Sequence, residues 1–214
     1  MPYKLLSLLG AVSLIAAYAC RKEKSLETLE KTTPCSYSPY TVGSSFTYQY
    51  VSSVGDSSQY TLTVRADTAI EGRKYAILHD GYNDQFLRCD NGNYYLYERA
   101  MSLPDYELKA GDRLFLHDDY PAGATWNDTV YTTVSGLSQL NLLQYRVLER
   151  NVTRIVLGKT YRDVIVVKQD AAIIVGETTH PVGTIATYYY APGVGYIETA
   201  SATDGVKLVK YTIR

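Results

Sequence analysis

The chain has 214 residues, 46% of them apolar and 20% charged, with a formal net charge of −1. That is one domain's worth of polypeptide, long enough to bury a sizeable core. The near balance of 21 basic against 22 acidic side chains, with no basic stripe along any segment, argues against nucleic acid as a partner, because phosphate binding needs concentrated Lys and Arg.

In chain order, Lys4 leads into an apolar run from Leu5 to Ala17 that stops at Ala17-Tyr18-Ala19-Cys20. Such a run is too short to cross ~30 Å of hydrocarbon as a helix, but it suits the apolar core of an export signal, so residues 1–19 are expected to form a signal helix that is removed. A small residue followed by cysteine resembles the lipobox of bacterial lipoproteins. The resemblance implies that Cys20 is acylated, with palmitate among its lipids, and becomes the mature N-terminus, making the membrane the first partner of the protein. An ordinary cleaved signal is the alternative. Residues 20–39 are charged and rich in Ser and Thr, and read as a flexible tether. Lys22-Glu23 is half of the surface-export pattern of some Bacteroidota lipoproteins, and Lys24 breaks it. The expected location is the cell envelope, with a periplasm-facing outer-membrane anchor favoured over surface display. Removing Cys20 leaves Cys35 and Cys89, an even pair in an oxidising compartment. A bridge between them would tie the arm to the folded body; two buried free thiols are the alternative.

Residues 40–214 are expected to form a single all-β domain. Short β-branched and aromatic runs alternate there with Gly, Asn and Asp. Strands are predicted at 46–52, 59–66, 74–79, 85–90, 94–99, 113–118 and 128–134. Further runs follow at 140–149, 153–157, 161–168, 171–176, 184–190, 194–199 and 206–213. Asp80-Gly81 and Asn91-Gly92 favour tight primed turns. Leu103 to Ala110 is the one stretch that could hold a helical turn. So many strands point to antiparallel sheets forming a clam-like sandwich or open barrel, or one strongly curved sheet.

A short pattern recurs. Gly43 precedes Phe46 and Gly72 precedes Tyr75, as Gly123 precedes Trp126 and Gly158 precedes Tyr161. If the halves are related, they would face each other like a clam.

The segment Tyr188-Tyr189-Tyr190-Ala191-Pro192-Gly193-Val194-Gly195-Tyr196-Ile197 resembles the Tyr-Tyr-Ala-x-Gly-Val-Gly motif of an uncharacterised, β-rich, TapB-like group of Bacteroidota envelope lipoproteins. The Gly-x-x-Phe/Trp and Gly-Lys-x-Tyr-x-Asp-Val segments upstream are similar to it as well. The resemblance implies a β-rich fold and an envelope location, and no activity. Physically, Ala191-Pro192-Gly193 reads as a hairpin turn.

Few residues suggest chemistry. His79, His117 and His180 all fall at strand ends, and a metal site drawing on His79, His117 and Asp119 has no support in linear spacing. No nucleophile elbow, phosphate loop or zinc-helix motif is present, so no catalytic residue, metal or cofactor is assigned. Asp67-Thr68-Ala69 and Asp128-Thr129-Val130 resemble Bacteroidota O-glycosylation acceptors, which makes Thr68 and Thr129 candidates. Tyrosine is abundant, 22 residues against 3 Phe and 1 Trp. Alternation along a strand puts Tyr95 and Tyr97 on one face and Tyr94 on the other, and Tyr188 and Tyr190 opposite Tyr189. One face of each should be core, and the other could form an aromatic binding surface. The expected function is therefore a non-catalytic binding or scaffolding module, with an envelope protein, a glycan or a lipid as ligand. The alternative is an envelope hydrolase with an unrecognised carboxylate site.

Overall fold

The computed structural model describes residues 34–134 and 136–214. The signal segment and its helix, the candidate acyl acceptor Cys20 and the expected tether up to residue 33 lie outside the described residues.

The described chain is all β, with fourteen strands. The first five are β1 (Ser45–Ser52), β2 (Ser57–Ile70), β3 (Arg73–His79), β4 (Asp84–Asp90) and β5 (Asn93–Glu98). A small hairpin, β6 (Met101–Leu103) and β7 (Tyr106–Leu108), precedes β8 (Gly111–His117). Then come β9 (Thr125–Val134), β10 (Leu137–Val156), β11 (Lys159–Val175), β12 (Thr178–Ala191), β13 (Gly195–Ala200) and β14 (Asp204–Thr212). They form one open antiparallel sheet in the order β6-β7-β9-β10-β11-β12-β13-β14-β1-β2-β3-β4-β5-β8. Apart from the β6–β7 hairpin, two six-stranded meanders, β1–β5 with β8 and β9–β14, join along β14 and β1.

The recurring glycines sit at equivalent turns of these meanders. Gly43 N–H donates to Val64 O, Ser44 N–H to Thr41 O and Val64 N–H to Ser44 O; Gly123, Ala124 and Val147 repeat the set with Val147 O, Pro121 O and Ala124 O. Tyr40 meets Phe46 edge-on at 5.9 Å, and Tyr120 meets Trp126 edge-on at 5.9 Å. Each following hairpin turns on a pair with positive φ, Glu71-Gly72 and Leu157-Gly158.

Three local expectations are corrected. Leu103 to Ala110 holds no helical turn: Pro104-Asp105 makes the turn of the β6–β7 hairpin, and β7 finds its hydrogen bonds on β9. Asn91-Gly92 makes a primed turn with φ of 47° and 77°, but Asp80-Gly81 does not. There the Asp80 carboxylate accepts from the N–H groups of Tyr82 and Asn83 and closes a longer loop. Finally, the separate runs at 140–149 and 153–157 are one strand, β10, bent by register shifts near Val147, Glu149 and Val152; the runs at 161–168 and 171–176 likewise merge in β11.

The last residues of the expected tether pack on the body. Cys35 is bonded to Cys89 on β4, Tyr37 is buried, its N–H donates to the Tyr94 hydroxyl, and Gly193 N–H donates to Ser36 O.

The core forms two clusters. One gathers Phe46, Tyr48, Leu78, Val164, Ile197 and Leu208; the other gathers Tyr37, Tyr94, Trp126, Ile165, Val167 and Tyr190. Phe115 and Tyr196 touch both. The run Val164 to Val167 is buried on both faces, which explains why its sequence is continuously apolar rather than alternating. At β8, which ends the sheet, side chains stand in for a neighbouring strand: Leu114 N–H donates to the Asp128 carboxylate and Leu114 O accepts from the Trp126 indole, both residues on β9.

Candidate ligand-binding cavity

Between the two meanders lies a cavity of about 360 Å³, within the ~300–1,000 Å³ range of small-ligand sites. One wall carries Leu62, Leu78, Leu87 and Leu96, a leucine from each of β2 to β5. Register explains their common face. Leu87 lies opposite Leu96 and Gln85 opposite Leu78, so every second residue of these strands points inward. The facing wall is aromatic and polar, with Tyr145 on β10, Gln169 on β11, Tyr188 and Tyr190 on β12 and Tyr196 on β13. Tyr40, just before β1, closes part of the lining.

The polar groups of that wall are linked. Gln169 is buried, its side-chain amide donates to the Tyr145 hydroxyl at 3.0 Å, and its amide oxygen accepts from the Tyr188 hydroxyl at 2.8 Å. Ala186, paired with Gln169 across β12, leaves room for the two rings to converge. Burial pushes the hydroxyls of Tyr145, Tyr188, Tyr190 and Tyr196 above the ordinary tyrosine range, so they stand as neutral donors. The charged side chains of the lining are Glu98 on β5 and Arg113 on β8, on the side that carries the leucines, ion-paired at 2.8 Å. Arg113 also donates to Lys109 O at 3.2 Å, and Gly111 lets the guanidinium approach, since a Cβ there would stand 3.3 Å from it.

The segment from Ser36 to Tyr40, of which Tyr40 lines the cavity, is held against the β12–β13 turn, with Gly193 N–H donating to Ser36 O. Gly195 has φ +89°, and a Cβ there would lie 3.0 Å from Tyr37 O and 3.4 Å from the Tyr40 hydroxyl. The second glycine of the Gly193-Val194-Gly195 segment therefore has a packing role as well as a turn role.

The six tyrosines expected to form binding surfaces do not share one exposed face. Tyr188 and Tyr190 point into the cavity. Tyr94 is buried, donating to Asp118 at 2.8 Å. The other three are half-buried: the Arg88 guanidinium lies 3.7 Å over the Tyr95 ring, Tyr97 packs edge-on to Tyr75 and Phe86, and the Arg154 guanidinium lies 4.2 Å over the Tyr189 ring. Sequence reasoning missed Gln169, Glu98, Arg113 and the four leucines. Their inward alternation was legible, but their facing one another across a gap was not.

The remaining candidates are dispersed. His79 pairs with Asp84 at 2.8 Å, while His117 stacks on Tyr120. Among the described residues, no three His, Cys, Asp or Glu side chains are grouped to hold a metal ion. Thr68 is half-buried in β2, and Thr129 is exposed in β9 beside Asp128, whose carboxylate accepts its N–H.

The fold has solved counterparts. A presumed lipoprotein from Parabacteroides distasonis ATCC 8503 superposes with a TM-score of 0.50 at 12% identity, covering 84% of this chain and 100% of that one. The likeness is one of fold. A presumed exported protein with a YmcC-like fold from Bacteroides fragilis NCTC 9343 gives a TM-score of 0.49 at 12% identity, covering 80% and 96% of the two chains. The hypothetical lipoprotein YmcC of Escherichia coli K12 gives 0.39 at 10% identity, covering 82% and 88%. No family model matches the chain, and no curated protein does.

Proposed function

We propose that this chain is a lipid-anchored protein of the bacterial cell envelope that binds a small, largely apolar ligand without transforming it. The cavity between the meanders carries this reading: its volume suits a small ligand, and its lining combines a leucine wall with a few converging polar groups. The anchor is the acylated Cys20, on the outer membrane and facing the periplasm, behind a tether that ends where Cys35 joins the body. The fold shared with a presumed lipoprotein is in keeping with that anchor, as is membership of the TapB-like group suggested by the Tyr188 to Ile197 segment. A hydrolase would need two carboxylates converging on the cavity; among its lining residues Glu98 is the one carboxylate, and Arg113 holds it.

The test is titration of the purified full-length protein with N-phenyl-1-naphthylamine, an uncharged dye that fluoresces in apolar surroundings. Saturable binding is expected. Leu96→Trp, which fills the cavity from β5, should weaken it about tenfold or more. Absence of saturable binding, or a well-folded Leu96→Trp protein that binds as tightly as the wild type, would overturn the reading.

A further inference from the structure

Within that cavity reading, we infer that the ligand is a neutral amphiphile: a hydrocarbon chain ending in an uncharged hydrogen-bonding head, such as a glycerol ester, an alcohol or an amide. The four leucines form an aliphatic patch on the side of β2 to β5, bordered there by Gln85, Glu98 and Arg113, and the side of β10 to β13 carries the tyrosines and Gln169. Leu62, Leu78, Leu87 and Leu96 offer aliphatic surface with no polar atom, the environment a chain of methylenes seeks. Opposite them, hydrogen-bonding capacity is left over. The Gln169 amide nitrogen carries two protons and spends one on Tyr145; its oxygen has two lone pairs and spends one on Tyr188. The Tyr145 hydroxyl accepts from Gln169 and keeps its own proton to donate, and the Tyr190 hydroxyl has no hydrogen-bond partner among the described residues. Spare donors and acceptors thus belong to neighbouring residues that line the cavity, as a hydroxyl, ester or amide head requires.

A charged head finds no counter-charge. Arg113 is occupied by Glu98, at 2.8 Å, and by Lys109 O. A carboxylate would meet no free cation and an ammonium no free anion, and burying either unpaired is costly. The tyrosine hydroxyls are protonated near neutral pH, as ordinary phenols are, and burial moves their titration further upward.

The experiment is displacement of N-phenyl-1-naphthylamine from the full-length protein at pH 7.5 by three ligands of one chain length: monolaurin, laurate and dodecylamine. Monolaurin is expected to displace the dye at a concentration at least about tenfold below either charged ligand. Gln169→Leu should remove that preference while the dye still binds. Gln169→Glu, which introduces a carboxylate, should turn the preference toward dodecylamine, a gain that misfolding does not imitate. If laurate or dodecylamine displaces the dye as well as monolaurin, or neither Gln169 variant changes the order, the neutral-head inference is wrong while the cavity reading stands. If the dye is not bound at all, or Leu96→Trp leaves its binding intact, the cavity reading itself fails.

Discussion

The indole N–H of Trp126 donates to the backbone oxygen of Leu114 at 3.0 Å, so that a side chain of one meander takes the place of a strand beside the last strand of the other. The ring also stacks on Tyr145 at 5.1 Å, which connects this contact to the cavity wall. Trp126→Phe keeps an aromatic ring but leaves Leu114 O without its donor. The expected loss is about 2 kcal/mol in urea unfolding, from the broken hydrogen bond and the reduced stacking. Amide exchange at Leu114, whose N–H is held by Asp128, should quicken before exchange in β11 does.

The Cys35–Cys89 bridge closes a sequence separation of 54 residues. In the chain-entropy account a loop of that length stabilises by about 4 kcal/mol. The double variant Cys35→Ser, Cys89→Ser should lose that much in denaturant melts under oxidising conditions, and addition of reductant should change the variant no further.

Gly195→Ala combines a strained positive φ with a methyl group 3.0 Å from Tyr37 O. A backbone atom cannot step aside as a flexible side chain can, so about 2 kcal/mol or more of stability should be lost. Gly55→Ala is the control: its φ is also positive, but no atom lies within 4 Å of the added carbon. The difference between the two in thermal unfolding isolates the contact with Tyr37.

Acid sensitivity near neutrality should trace to His117. Its ring is buried, stacked on Tyr120 at 3.8 Å and edge-on to Trp126 at 5.0 Å. Burial lowers its pKa against the opposing pull of Asp119. The folded state therefore binds fewer protons here than the unfolded one, and the stability from the neutral ring is complete above the unfolded pKa of about 6.5. It is lost as pH falls from there toward the folded value. Asp118 acts in the opposite sense. Burial raises its pKa, partly countered by Tyr94 and Arg150, so its contribution is full below about 3.9 and is lost as pH rises through the folded value. Melting temperatures should fall between pH 7 and 5.5 in the wild type and fall less in His117→Phe, which keeps the stack without the charge.

Much of the fold was legible because local chemistry and long-range pairing agree. Asn91-Gly92 demands a primed turn and makes one, and Gly43 and Gly123 mark one turn used twice. Where tertiary contacts override the local signal, the sequence misleads. Residues 106–108 become a strand because β9 offers hydrogen bonds, and residues 34–39 look like linker although Cys35, Ser36 and Tyr37 are bonded to β4, Gly193 and Tyr94. The tyrosine clusters gave the faces by alternation, but which face is core differs between them: Tyr94 alone turns inward on β5, while Tyr188 and Tyr190 do so together on β12. The cavity was the least legible feature, because it depends on how far apart two packed halves stop.

The position of the disulfide sets a mechanical boundary. Tension applied on the N-terminal side of Cys35 would reach that residue first and pass through the bridge into β4, two residues before Tyr37 and five before Tyr40. Tyr40, which lines the cavity, therefore lies on the slack side of the crosslink. A pull on the arm would strain the sheet through one covalent bond and leave residues 36–40 unloaded; reduction of that bond would put those residues in the line of force.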